Sequence, residues 1–285
     1  MDEVCTVPLP PTMDVTDCVG AGLVGMVVRV DAVLKIASSP NGQSLIDVEE
    51  RIYERLANCH SGILRYLGRW NNGLLLEFAH HGCLRQYWAA NGRRTLTLRL
   101  LWVQQLVDSI RFLHSKQIFH GDISCNNVFL DADLNMKLGD FAGSSIDGES
   151  PGVCYSISHQ HPSIQTIGVH SDLFALGSTI YEIMTESGPY DGLSQNAIRG
   201  AYEREEYPDL SSLPAFSSVI TKCWARGYIS ADDVKNDVDV EGDAETPSCE
   251  TGTDQTPSSR REIESSLLLT TLPVHGIRAR REGSP

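Results

Sequence analysis

Apolar and polar positions change period several times along the chain, and each change predicts an element. Residues 17–30 set β-type side chains around a group of glycines, and 32–37 repeat the strand-like character, so a short β-rich sheet is expected there. From Leu45 the period lengthens, and Leu45, Val48, Ile52 and Leu56 share one face of a helix. Residues 63–66 and 74–78 return to strand-like runs. A long helix follows, with Leu98, Leu101, Trp102, Leu106, Ile110 and Leu113 as its apolar stripe and core face. Helices dominate thereafter, and LFALGSTIYEIM at 173–184 is apolar nearly all round, as a helix surrounded by partners must be. The pattern divides the chain into an unpatterned, Pro-rich, flexible 1–14, a small β-rich 15–78 with one helix, and a larger helical 79–235. Acidic residues mixed with Ser, Thr and Pro then predict disorder over 236–285.

Composition narrows the function classes. A hydrophobic fraction of 41% and a charged fraction of 21% are ordinary for a globular protein. A net charge of -14 argues against nucleic acid as the main ligand, because phosphate-backbone binding needs clustered Lys and Arg. Any phosphate the protein holds must therefore meet local positive charge. No window reaches the roughly 20 apolar residues of a membrane span, and MDEVCTVPLPPTMD lacks the basic and apolar regions of a secretory signal, so a soluble, intracellular, cytoplasmic protein is expected. The 8 cysteines are scattered without zinc spacing and read as free thiols in a reducing compartment.

Gly20, Gly22, Gly25 and Val27 spell GxGxxGxV, with AVLK ending at Lys35 in the next strand-like run. Glycines so spaced could open a dinucleotide-binding unit, but a helix should then follow. Here β-rich MVVRV and VLKI follow, which suits a hairpin folded over phosphates with a Lys on the adjacent strand. Further on, HGDISCNNVFLDADLNMKLGDFAGSS runs from His120 to Ser145. Its Asp122 and Asn127 stand five positions apart, as in HRDxxxxN, and Asp140 of DFA stands where a DFG aspartate belongs. On these motifs the chain resembles the eukaryotic protein kinases over about residues 15–230, and within them the compact kinase-like proteins of filamentous fungi.

The resemblance implies an α+β, two-lobed protein-kinase-like fold with a small β-rich N-lobe (15–78) carrying one helix and a larger, mainly helical C-lobe (79–235). It implies ATP and Mg2+ as cofactors and a protein hydroxyl, of Ser or Thr, as acceptor. Phosphoryl transfer asks a protein mostly for positioning and charge compensation. By resemblance, Lys35 pairs with the α and β phosphates and is held by Glu49, with Glu50 as the register alternative. Asn127 and Asp140 ligate magnesium, and Asp122 orients the substrate hydroxyl or accepts its proton. Gly20, Gly22, Gly25 and Val27 cover the nucleotide. Leu76 is the gatekeeper, and Glu77 to Ala79 offer backbone groups to adenine. Asp172 either holds the catalytic loop or caps the helix it opens.

Several positions depart from the family pattern. Gly121 replaces the Arg of HRD, Ser124 the Lys two positions after the catalytic Asp, Ala142 the DFG glycine, and Val33 a smaller Ala. SHQ at 158–160 stands where APE is expected, and the late Arg that would pair with its Glu is absent. The segment that binds a peptide is therefore expected to be loose or shortened, and the final helix truncated. Three functions stay open: a Ser/Thr protein kinase, slow for want of one charge stabiliser, an ATP-binding pseudokinase scaffold, and a kinase-like small-molecule phosphotransferase.

Overall fold

The computed structural model describes residues 18–22, 25–28, 31–149 and 155–245, with side chains over 31–149 and 155–242. The flexible start expected at 1–14, the segment 246–285 and the side chain of Val27 lie outside this set.

The N-terminal region is built from strands and one helix. Strands β1 (Cys18–Gly22) and β2 (Gly25–Val28) form an antiparallel hairpin that sets Gly20 opposite Val27 and Gly22 opposite Gly25. Strands β3 (Ala32–Lys35), β4 (Tyr66–Trp70) and β5 (Gly73–Glu77) make an antiparallel sheet in the order β3-β5-β4. Its register places Lys35 opposite Leu74 and Val33 opposite Leu76. Helix α1 (Gln43–Leu56) buries Ile46, Glu49, Ile52, Tyr53 and Leu56, so one carboxylate rides on an otherwise apolar face. A left-handed Ala57 stops it.

The C-terminal region is helical, interrupted by short strand pairs. Helices α2 (Leu84–Asn91) and α3 (Leu96–Ser115) come first, and Thr95 caps α3 by accepting the Leu98 N–H. The buried face of α3 is Leu100, Trp102, Val103, Leu106, Val107, Ile110 and Leu113. Leu101, expected on that face, is 39% exposed, because its neighbours Leu100 and Trp102 carry the stripe instead. Strands β6 (Ile118–Phe119) and β9 (Ser145–Ile146) pair, as do β7 (Val128–Leu130) and β8 (Met136–Leu138). These two pairs fix both ends of the intervening loops. Helix α4 (Val169–Thr185) is buried along nearly all of its length, as its all-round apolarity predicts. Helices α5 (Gln195–Glu203), α6 (Ser217–Trp224) and α7 (Ala231–Glu245) complete the chain as described.

Helix α7, which runs to Glu245, overturns part of the expected disorder over 236–285. It packs on α3 and α6, with Val234 and Val238 at 0% exposure. Two valines four residues apart make a narrow apolar seam that the acidic background hides from composition. Lys222 Nζ lies 2.6 Å from Asp237 Oδ2, and Tyr228 donates to the same oxygen, so part of that acidity is paired. The region described as small and strand-rich, followed by a larger helical one, has the α+β two-lobed character anticipated.

Candidate active site

Three elements bring their charges to one point. Lys35 ends β3, Glu49 lies on the buried face of α1, and Asp140 follows β8. Lys35 Nζ sits 2.6 Å from Glu49 Oε2 and 2.6 Å from Asp140 Oδ1. Burial works against the ammonium, but the two carboxylates outweigh it and raise the Lys35 pKa, so the cation persists. Burial also raises the carboxyl of Glu49; the Lys35 ammonium and the Phe141 N–H, 3.1 Å from Glu49 Oε1, are what oppose it. Glu50 faces elsewhere, paired with Arg69 and accepting the Tyr66 hydroxyl at 2.8 Å, so the geometry selects Glu49 over its register alternative.

The loop between β6 and β7 supplies the second group. Asn127 Nδ2 donates to Asp122 Oδ2 at 2.9 Å and to Asp122 O at 2.8 Å, which orients the carboxylate and leaves the amide oxygen of Asn127 uncommitted. The loop is held from behind by Asp172, at 0% exposure, whose carboxylate accepts the N–H of His120 at 2.8 Å and of Gly121 at 3.0 Å. The N-cap of α4 is Gly168, whose N–H donates to Ser171 Oγ at 2.8 Å while the Ser171 hydroxyl donates to Gly168 O at 2.9 Å, so Asp172 is not the cap. His114 and Tyr155 also bond Asp172. Burial alone would raise its carboxyl, but these partners hold it below the ordinary value of 3.8.

Asp122 and Asp140 are driven in opposite directions. Burial raises Asp122, aided by the neighbouring Asp140 charge and opposed by His120 and Asn127. Asp140 is lowered, since Lys35 outweighs its burial. Such a split suits one carboxylate to proton handling and the other to a permanent charge. Asp140 also adopts φ 63, a conformation costly for a non-glycine residue and kept where surroundings over-determine it.

A family model described as the protein kinase domain matches residues 19–227. The chain belongs to the protein kinase family. Among curated proteins, its kinase domain is 28% identical over 160 residues to a probable serine/threonine-protein kinase of Dictyostelium discoideum, covering 52% of this chain and 32% of that one. It is 26% identical over 230 residues to cell division control protein 7 of Schizosaccharomyces pombe, covering 74% of this chain and 22% of the relative. The chain thus spans between a fifth and a third of the length of these two relatives.

The groups of this kinase domain fit a nucleotide and a magnesium ion. The carboxylate of Asp140, 45% exposed, and the free amide oxygen of Asn127 are hard oxygen donors. Among the described residues no three His, Cys, Asp or Glu side chains gather as an all-protein cage, so such an ion would draw the rest of its shell from phosphate and water. In the segment expected to be the hinge, Leu76 is 4% exposed, and the N–H groups of Glu77 and Phe78 are bonded to Arg65 O and Asp31 O. The Ala79 carbonyl accepts from Gly82 N. For Gly20, Gly22 and Gly25 only the hairpin backbone is described.

Several residues around the site escape sequence reasoning. Tyr66 stacks on Tyr53 with centroids 5.7 Å apart, Tyr53 meets Phe141 at 5.1 Å, and Phe141 meets His120 at 5.3 Å. This aromatic column ends on Asp172 and ties the kinase N-lobe to the loop of Asp122. Arg55 on α1 makes a bidentate pair with Asp147, and Arg51 meets Glu149, fastening α1 to the segment after Asp140. The spacing of Arg51 and Arg55, one helical turn apart, is the only trace of this in the sequence.

The segment around SHQ is firmer than expected. A 3₁₀ turn at Ile157–His159 buries His159 completely, and Tyr202 donates to Ser158 O at 2.8 Å. Burial pushes the imidazole of His159 down to about 3, so it stands neutral at the middle of SHQ, while Gln160 takes the position of the family's carboxylate. The nearby buried Glu182 pairs with Arg85 of α2, at 2.7 Å to each carboxylate oxygen, and not with a late arginine.

Proposed function

We propose that the chain is an ATP-dependent protein kinase that transfers the γ-phosphate of Mg-ATP to a Ser or Thr hydroxyl of a protein. The observation that carries the reading is the convergence of Lys35 on both Glu49 and Asp140, beside an Asp122 oriented by Asn127. Mg2+, when bound, neutralises charge on the phosphates and polarises the bond that breaks. Asp140 and Asn127 would hold it, and the Lys35 ammonium would pair with the α and β phosphates while Glu49 keeps that ammonium in place. Asp122, with its raised pKa, would orient the acceptor hydroxyl and take its proton. The glycines of the β1–β2 hairpin let the backbone approach the phosphates closely.

A second reading, a nucleotide-binding pseudokinase, is favoured by Ser124, which brings no cation beside Asp122. Loss of one preorganised charge typically costs about 10² to 10³ in rate, which leaves a slow enzyme and not an inert one. The test incubates the protein with labelled ATP, Mg2+ and Ser/Thr acceptor proteins, beside Asp122→Asn. Transfer that vanishes in the variant while nucleotide still raises the melting temperature supports the kinase. Nucleotide binding without transfer under any divalent metal supports the pseudokinase, and neither result defeats both.

A further inference from the structure

Among the described residues, four groups bond the Asp172 carboxylate, two on each oxygen. Oδ2 accepts the His120 N–H at 2.8 Å and lies 2.9 Å from His114 Nε2. Oδ1 accepts the Gly121 N–H at 3.0 Å and the Tyr155 hydroxyl at 2.5 Å. Each oxygen therefore holds one amide of the loop and is itself held by one side chain. His114 rides on the last turn of α3. Tyr155 is the one donor of the four that comes from the segment after Asp140, and it is 6% exposed.

The same segment reaches the loop a second time. Ser144, at 0% exposure, donates to His120 O at 2.7 Å. The peptide group between His120 and Gly121 is thus bonded on its carbonyl by Ser144 and on its N–H by the oxygen that Tyr155 fixes. Asp122 is the next residue, and glycine at 121 adds no side chain that could anchor the peptide instead. A phenol satisfies a buried carboxylate without burying a second charge, and a hydrogen bond to an ionised acceptor is roughly twice as strong as one between neutral groups. Burial, and then the Asp172 charge, raise the Tyr155 hydroxyl well above its ordinary value, so it stays protonated and donating.

We propose that Tyr155 is a positioning residue for phosphoryl transfer: its hydroxyl fixes Asp172 Oδ1, that oxygen fixes the Gly121 N–H, and the seating of Asp122 thereby depends on the docking of the segment after Asp140. The latch is uncharged and needs no phosphate to close. Its role rests on the kinase reading, in which Asp122 acts on the acceptor hydroxyl, but its first test needs no transfer. Tyr155→Phe removes one oxygen and keeps the ring, and Asp172 retains three donors, so the fold should hold. Tyr202→Phe is the control, since Tyr202 is at 0% exposure and donates to Ser158 O at 2.8 Å, a buried bond of the same kind away from the loop.

Hydrogen exchange is followed by mass spectrometry on the full chain. A bond to a charged group is worth about tenfold or more in an equilibrium, so the amides of 120–122 should exchange at least about tenfold faster in Tyr155→Phe, while peptides from 173–184 and from α7 keep the parent rate. Tyr202→Phe should leave 120–122 unchanged. With labelled ATP and an acceptor protein, Tyr155→Phe should lower kcat by about tenfold or more and leave KM for ATP unchanged, because the contacts of Lys35 with Glu49 and Asp140 are untouched. Unchanged exchange at 120–122, or a rise that spreads through the chain or recurs in Tyr202→Phe, overturns the latch. A loss in KM for ATP and not in kcat overturns the positioning role. Faster exchange at 120–122 in a chain whose parent transfers no phosphate defeats the kinase reading and leaves the latch standing. Faster exchange with transfer undiminished defeats the positioning role alone.

Discussion

Gly121, where the family carries an arginine, offers the sharpest test of how the loop of Asp122 is held. Its φ is +77, a backbone conformation in which any side chain is strained. A Cβ there would meet Gly143 O at 2.7 Å and Ile167 Cδ1 at 2.9 Å. The isoleucine can turn aside, but the carbonyl belongs to backbone packed behind the loop. An L-residue in the left-handed region costs about 1–2 kcal/mol, and a forced contact in a packed region about 1–3 kcal/mol. Gly121→Ala should therefore destabilise by roughly 2–5 kcal/mol, and shift Tm down by about 4–20 °C at the roughly 2–4 °C per kcal/mol usual for this size. The Gly121 N–H bonds Asp172 at 3.0 Å and the next residue is Asp122, so transfer should fall more steeply than stability. Scanning calorimetry and labelled-phosphate assays on Gly121→Ala and Gly121→Arg measure both. A Tm within 2 °C of the parent, or an arginine that raises activity, would refute the argument that this loop is built around glycine.

Further outcomes follow from the charges and from α7. The acid limb of the transfer rate should titrate above the ordinary Asp value of 3.8, because burial raises Asp122 and its base form is needed; a limb at or below that value counts against Asp122 as the base. Asp172 is lowered in the folded state, so the unfolded chain binds more protons and the stability it contributes is present above 3.8 and lost as pH falls through its folded pKa. Subtracting the Asp172→Asn stability curve from the parent curve should expose that loss, and a flat difference would oppose it. Val238→Asp places a charge at a site of 0% exposure and should cost about 3 kcal/mol or more by denaturant unfolding, whereas a disordered segment would not register it. Phosphatase treatment should leave transfer unchanged, since Asp147 and Glu149 already pair with Arg55 and Arg51. Replacing both arginines by Gln should lower transfer severalfold, and added salt should weaken the parent toward the variant.

What the sequence disclosed and what it hid divide along a physical line. The convergence of Lys35 on Asp140 and of Asp122 on Asn127 was legible because the proposed phosphate and metal chemistry would fix residue type and local spacing together, as in the five-residue step from Asp122 to Asn127. The strands and buried helices were legible because burial imposes a period. Glu49 against Glu50 was not, because a shift of one residue turns a helical side chain by about 100° and only the packed face of α1 decides which carboxylate meets Lys35. Leu101 misled for the same reason. Helix α7 was hidden because two valines suffice to seat a helix on a partner that is itself apolar, and composition averages them away. The column from Tyr66 through Tyr53 and Phe141 to His120 was invisible, since its members come from four separate segments.

The same division explains why departures from the family pattern are poor guides to looseness in this chain. Each missing charge removes an obligation as well as a contact. With no arginine at 121 there is no guanidinium to be met by a phosphate. The segment is instead bound to α1 by Arg51 and Arg55, which sit on the helix that also carries Glu49. With Gln160 in the place of the carboxylate there is no buried anion to be met by a late arginine, and neutral His159 packs beside it. The carboxylate that does lie buried nearby, Glu182, takes its cation from Arg85 on a different helix. A buried ion pair tolerates loss of both partners far better than loss of one. Paired losses with local replacements are therefore what a folded kinase domain can sustain. Ser124 has no such counterpart beside Asp122, and for that reason slow turnover is expected from Ser124 alone and not from the count of departures.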